Sequence, residues 1–153
     1  MSAIAVAELT VDAGRADAFC HFIDFAHWDL WMPPEFRPIS GPARALQTGD
    51  ALSVGIGPKA RLKVNLEVIR VRPGKEICWR GGNPMLLRGE HSFLFADADT
   101  DTDTDETRTR VRSEETFEGL LAAGPFAARL ERAASDNASD LIARFSDYLK
   151  HHR

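Results

Sequence analysis

The sequence predicts an α+β fold in which a strongly curved antiparallel sheet of about seven strands wraps around one long C-terminal helix. Three observations lead to this prediction. Apolar and polar residues alternate through the middle of the chain, glycine and proline turns separate these runs, and the apolar period lengthens from two residues to about 3.6 near Gly119–Pro125. Successive strands joined by tight turns form an antiparallel sheet, and a sheet that curls must cover its concave face.

The C-terminal helix is predicted from about Pro125 to Lys150, because proline is tolerated in a first helical turn. Its apolar face recurs at steps of three or four residues: Phe126, Leu130, Ala133, Asn137, Leu141, Phe145 and Tyr148. We expect Leu130, Leu141 and Phe145 to face the sheet. A helix this long and this amphipathic needs a broad apolar partner surface, which the strands supply.

The other elements follow in chain order. The first strand is predicted at Ile4–Val11, and Asp12 is predicted to cap a short helix that buries Ala16, Phe19, Phe22 and Ile23. A brief second helix carries Trp28 and Trp31 and ends at Pro33–Pro34. The later strands are predicted at Ala51–Ile56, Leu62–Val68, Glu76–Gly81, Arg88–Ala96 and Thr107–Phe117.

Composition limits the class of protein. The 153 residues fit one domain, 44% of them are hydrophobic, and no apolar run approaches the ~20 residues of a membrane-spanning helix. The N-terminus has no basic start, so no secretory signal is predicted. Cys20 and Cys78 lack a paired spacing and are interpreted as free thiols of a cytoplasmic protein. No integral membrane segment is expected.

Charge is concentrated in one segment. The net charge is −4, but six of the 23 acids lie within Asp97–Glu106, which leaves 17 acids against 19 bases elsewhere. The body therefore has no basic surface that predicts nucleic-acid binding. The acidic run lacks the glycine and terminal glutamate spacing of a calcium loop, so no metal site is predicted there. We expect a mobile hairpin tip that joins two paired strands.

Several local motifs resemble one superfamily. They are Val11-Asp12-Ala13, the stretch Phe25–Pro33 with its two tryptophans, Cys78-Trp79-Arg80-Gly81, Gly89–Phe93 and Thr109–Gly119. Together they resemble the START-like (SRPBCC) superfamily of helix-grip proteins, which includes polyketide cyclase/dehydratase, lipid-transport and pollen-allergen-like domains. The resemblance covers nearly all of residues 1–153 as a single domain. It implies an apolar or amphipathic small-molecule ligand in a cavity under the long helix, no cofactor, and a monomer or homodimer.

Alternation within the strands predicts which residues face such a cavity. The candidate ligand-binding residues are Trp31, Ile77, Trp79, His91, Phe93, Glu115, Phe117, Asn137 and Leu141. His91 and Glu115 are the titratable members, and a buried carboxyl beside an imidazole is suited to acid–base chemistry. Core packing is the simpler interpretation of the Trp28 and Trp31 pair. A register slip of one residue would exchange Glu115 for Glu114.

Three functions remain open at this point. The first is binding or carriage of an apolar small molecule. The second is a cyclase- or dehydratase-like enzyme that uses His91 and Glu115, and the third is a protein-interaction module with a vestigial cavity. No other catalytic signature is present, since the sequence has neither Gly-x-Ser-x-Gly nor a phosphate-binding glycine loop nor zinc spacing. Whether a reaction is catalysed is therefore left undecided by the residues alone.

Overall fold

The computed structural model describes residues 2–98 and 108–152. The strands are β1 (Ser2–Val11), β2 (Phe36–Ser40), β3 (Ala51–Ile56), β4 (Leu62–Arg72), β5 (Glu76–Asn83), β6 (Leu87–Asp97) and β7 (Thr109–Glu118). The α-helices are α1 (Arg15–Phe22) and α2 (Pro125–His152), and short 3₁₀ helices lie at Phe25–Leu30, Pro58–Ala60 and Leu120–Ala122. The strands form one antiparallel sheet in the order β1-β7-β6-β5-β4-β3-β2. The predicted helix-grip architecture is thereby confirmed: the curved sheet wraps around α2.

The strand β2 was not located by the sequence pattern, which places no strand between Pro34 and Gly41. It carries Pro38, and its pairing with β3 shifts register between Pro38 and Ser40. Proline has no N–H for a ladder hydrogen bond, so it is confined to edge strands and bulges. Pro38 is tolerated because β2 is the edge strand of the sheet. The same proline makes the segment look unlike a strand in the sequence, which is why β2 was missed.

The prediction that Asp12 caps α1 is wrong. The N-cap residue is Gly14, without a side-chain cap bond, because the helix begins only at Arg15. Asp12 Oδ1 instead accepts a hydrogen bond from Arg108 Nε at 3.0 Å, which ties the end of β1 to the start of β7. The later start also changes the buried face, so that Ala18 is buried and Ala16 is exposed.

Helix α2 begins at Pro125 as predicted and buries a slightly rotated face. Its buried side chains are Ala134, Ala138, Leu141, Ile142, Phe145 and Leu149. Leu141 and Phe145 are buried in the larger core group with inward-facing strand residues, and Leu130 is half-buried against the smaller group that contains Phe117 and Ala134. Phe126 is wrongly placed in the predicted stripe, because its position in the first turn leaves it 46% exposed.

Two groups of buried residues form the core. The larger one surrounds Phe22, whose ring lies 4.6 Å from Phe93 and 5.1 Å from Phe145 between centroids. Trp28 belongs to this group, and its Nε1 donates a 2.8 Å hydrogen bond to the Phe22 carbonyl. The smaller group consists of Ala5, Phe117, Ala122 and Ala134. Residues of both groups line one cavity, so the cavity lies between them.

The acidic run predicted as a mobile loop falls mostly on residues 99–107, which lie outside the described residues. The strands on either side pair in register, with Asp97 opposite Thr109. Within residues 2–98 and 108–152, no helix is long and apolar enough to cross a membrane, and no group of metal-ligating side chains is found.

Candidate ligand-binding cavity

A cavity of about 650 Å³ lies between the concave face of the sheet and the first half of α2. Strands β3 to β7 supply one wall, with Val54, Leu66, Trp79 and Phe117 among its side chains. The helix supplies the other wall from Leu130 to Leu141. The surface of the cavity is therefore mainly aliphatic and aromatic.

Small residues on both walls keep this space open. Gly81 and Gly89 lie opposite each other on β5 and β6, and both line the cavity. A Cβ atom at Gly81 would lie 2.5 Å from Leu66 Cδ2, which is closer than real Cβ contacts. On the helix, the lining residues include Ala133, Ala134 and Ala138. The second half of α2 carries Ile142, Phe145 and Leu149 instead, and there the core is filled.

The mouth of the cavity is identified by residues that line it and are also exposed. Leu62, at the start of β4, is 61% exposed, and Leu86, before β6, is 53% exposed. The backbone N–H of Leu121 donates to the Leu86 carbonyl at 2.9 Å, which fixes this rim to the segment before α2. Gly119 has φ +111°, and a Cβ there would lie 2.5 Å from the same carbonyl, so the close approach requires glycine.

His91, Ser113 and Glu115 form a polar group on the cavity side of the sheet. His91 and Glu115 are directly opposite in the β6–β7 ladder, as the alternation predicted. His91 Nε2 and Ser113 Oγ share a buried hydrogen bond of 2.6 Å, and His91 Nδ1 lies 3.6 Å from Glu115 Oε2. The His91 ring stacks on Phe93, with centroids 4.3 Å apart. The imidazole is thus held in place from two sides.

Burial changes the protonation of both titratable groups. Desolvation lowers the pKa of His91 from 6.5 to about 3, so the imidazole is neutral at neutral pH. Desolvation raises the pKa of Glu115 from 4.5 to about 7, so its carboxyl group titrates near neutral pH. Its side chain is 21% accessible and lines the cavity. Of His91 and Glu115, it is therefore Glu115 whose charge changes near neutral pH.

Six of the nine predicted site residues line this one cavity: Trp79, His91, Glu115, Phe117, Asn137 and Leu141. Asn137 and its helical neighbour Ala133 are solvent-accessible and border the cavity. These six come from three strands and the helix, and the predicted register brings them to the same cavity. Their role in binding remains a prediction.

Trp31, Ile77 and Phe93 do not line the cavity. All three are at most 3% exposed and belong to the larger core group. The reason is that Phe22 of α1 covers the sheet over Phe93, while Trp31 packs on Phe145 with centroids 4.8 Å apart. The concave face is therefore filled at this end, and strand alternation cannot distinguish filled from open parts of one face.

Sequence analysis also missed lining residues at the mouth and in the walls. Phe36 lies in β2, which the pattern did not locate, and Leu86 lies just before β6. Leu62 begins β4 as predicted but was not assigned to the cavity. The sequence does contain residues that could have indicated the cavity, namely Gly81, Gly89 and the alanines of the first half of α2. Small residues on two facing surfaces indicate unfilled volume between them.

Comparisons with protein-family models and with curated proteins find no match for this sequence. Solved structures do match. The di-domain ARO/CYC StfQ from the steffimycin biosynthetic pathway has a TM-score of 0.72 at 15% identity, over 99% of this chain and 52% of that protein. This chain thus spans about half of StfQ. Ara h 8.0201 has a TM-score of 0.71 at 11% identity, over 99% of each chain.

A third match is norcoclaurine synthase from Thalictrum flavum in complex with dopamine and hydroxybenzaldehyde. Its TM-score is 0.68 at 11% identity, over 100% of this chain and 89% of that one. The chain has the START-like helix-grip fold. At these identities the likeness establishes the fold alone, and one fold can host unrelated functions.

Proposed function

We propose that this START-like protein, as one domain over residues 1–153, binds an apolar or amphipathic small molecule between the sheet and α2. The observation that carries this proposal is the cavity of about 650 Å³ with largely apolar walls and one internal polar group. Ligand pockets are commonly about 300–1,000 Å³ and combine apolar walls with a few polar groups. The proposal includes transport of such a molecule through the cytoplasm. Cys20 and Cys78 support this location, because both are free cysteines and a reducing compartment keeps thiols reduced.

The cavity also argues against a module that acts only through its surface. Apolar wall atoms that no side chain or ligand covers forfeit packing contacts. Larger side chains at Gly89 or Ala133 would reduce that loss. The chain instead has small residues at both positions, and both line the cavity together with His91 and Glu115. Small residues at these positions are expected when a ligand occupies the cavity.

A second candidate function is acid–base catalysis on the bound molecule. Glu115 favours it, because a carboxyl group with a pKa near 7 can both accept and donate a proton at neutral pH. His91 has a different part in this scheme from the one the sequence suggested. With a pKa of about 3 it stays neutral, so it positions Glu115 and the ligand while Glu115 transfers the proton.

Binding can be tested by filling the cavity from the helix. Nile red, a neutral dye that fluoresces in apolar surroundings, should bind wild-type protein saturably. Ala133→Trp projects a large side chain from the cavity wall and should weaken the dye by about tenfold or more, since it removes much of the volume. Ala143→Trp is the matched control, because Ala143 is an exposed position of α2 that does not line the cavity.

Equal weakening by both tryptophans, or no saturable binding by wild type, would contradict the proposal. Native mass spectrometry of freshly purified protein should in addition show a retained small molecule. That molecule, once identified, distinguishes the two functions. If Glu115→Gln abolishes its conversion and leaves its binding intact, the protein is an enzyme; if only affinity changes, it is a binding protein.

A further inference from the structure

The charges on the cavity wall are all of one kind. Among the described residues that line it, the ionisable side chains are Glu35, His91 and Glu115, and none is lysine or arginine. His91 is neutral over the physiological range because its pKa is about 3. A ligand with a carboxylate or phosphate would therefore meet two carboxyl groups and no cation. Burial of an unpaired charge is costly, so the wall disfavours anions.

The carboxyl group of Glu115 is accessible to a donor from the ligand. His91 Nδ1 lies 3.6 Å from Glu115 Oε2, which is longer than an ordinary N–H···O hydrogen bond. The other ring nitrogen, Nε2, is engaged by Ser113. Beside the carboxylate, Gly89 has no side chain, and a Cβ there would lie 3.6 Å from Oε2. The oxygen atoms therefore face space in which a ligand group fits.

Aromatic rings line the same cavity. Phe36, Trp79 and Phe117 all line the cavity, and Trp79 lies 5.5 Å from the His91 ring between centroids. The face of an aromatic ring attracts a cation, more strongly when water is excluded. A carboxylate together with aromatic walls is a suitable environment for an ammonium group attached to an apolar body.

We propose that the cavity takes an apolar molecule that carries one ammonium group, and that Glu115 binds this ammonium. The proposal rests on the proposed binding function and specifies its ligand class. An ion pair inside the cavity offsets the desolvation of both charges, whereas a neutral ligand leaves the ionised carboxylate unpaired. Ammonium binding therefore favours the ionised form of Glu115 and should strengthen as the pH rises.

Three probes with the same apolar body test the ligand class: 1-naphthylmethylamine, 1-naphthylmethanol and 1-naphthoate. Isothermal titration calorimetry with wild-type protein at pH 8 should give the order amine, alcohol, carboxylate, with the amine about tenfold or more tighter than the alcohol. Glu115→Gln should remove this tenfold preference and leave the affinity of the alcohol within about twofold. Glu114→Gln, on the opposite face of β7, is the matched control and should change neither affinity.

The pH dependence supplies an independent readout. Glu115 ionises around pH 7, while the other titratable groups of the wall are Glu35 at the mouth and the neutral His91. The affinity for the amine should rise about tenfold between pH 6 and pH 8 in wild type and stay constant in Glu115→Gln.

Two results would overturn the proposed ammonium ligand without affecting the proposed binding function. One is an alcohol that binds wild type as tightly as the amine, and the other is an amine affinity that is unchanged in Glu115→Gln. Failure of all three probes to bind wild type would overturn the proposed function itself.

Discussion

Replacing Glu115 by glutamine should stabilise the protein above pH 7 relative to wild type. Desolvation raises the pKa of this carboxyl group from 4.5 in the unfolded chain to about 7 in the fold. Between these values the folded protein holds a proton that the unfolded chain has lost, so stability falls as the pH rises. Above pH 7 the fold contains a buried carboxylate, and glutamine, which is neutral at every pH, avoids this cost.

The size of the effect follows from the two pKa values. The difference between 4.5 and about 7, at about 1.4 kcal/mol for each pKa unit, gives about 3 kcal/mol. This is an upper value, because 21% of the side chain is accessible to water that enters the cavity. His91 acts in the opposite direction, since its lowered pKa makes stability rise from pH 3 to pH 6.5. Both proteins contain His91, so its contribution cancels in their difference.

Urea denaturation of wild type and Glu115→Gln at pH 4 to pH 9 measures this difference. The free energy of unfolding of the variant, minus that of wild type, should be constant below pH 4.5, rise through pH 7 and level off above it. Glu114→Gln is the control, because Glu114 accepts a hydrogen bond from Arg112 Nε at 2.7 Å on the outer face. The free energy of unfolding of Glu114→Gln, minus that of wild type, should be the same at pH 6 and at pH 9. A flat difference for Glu115→Gln across the range would refute the reasoning.

Further predictions concern stability at fixed pH. Phe145→Ala should lower the free energy of unfolding by about 3–5 kcal/mol, because Phe145 is fully buried, whereas Phe126→Ala on the same helix should cost less than ~1 kcal/mol; thermal denaturation of both variants measures the contrast. Ser113→Ala should cost about 1–3 kcal/mol, since it leaves buried His91 Nε2 without its partner, and equal stability in urea would contradict this bond. Shortening the run Asp97–Glu106 to a glycine turn should cost less than ~1 kcal/mol, and a loss of several kcal/mol would show that the run has a structural role.

The pairing of strands was predictable because alternation is local and strong in this chain. One period-two pattern in β5, β6 and β7 places Trp79, His91 and Glu115 on one face, and antiparallel pairing sets the three strands side by side. The long amphipathic helix was predictable for a similar reason, since the apolar period of α2 persists over several turns. Strand alternation and the helical apolar period both depend only on residues that are close together in the sequence.

The extent of the cavity required contacts between residues far apart in the chain. Phe22 of α1 covers Phe93 of β6, and this contact fills one end of the concave face. Gly89 of β6 faces the alanine-rich first half of α2 and leaves the other end open. Strand periodicity assigns a face, but it does not state which element covers each position on that face.

The strand alternation, the long helix and the face on which His91 and Glu115 lie could be predicted from the chain alone, because each depends on the spacing of neighbouring residues. The packing of distant elements places Trp31, Ile77 and Phe93 in the core, while Leu62 and Leu86 line the mouth. It also decided that Glu115 titrates near neutral pH. These properties depend on which distant side chains exclude water from a given point, and that is set when helix and sheet pack together.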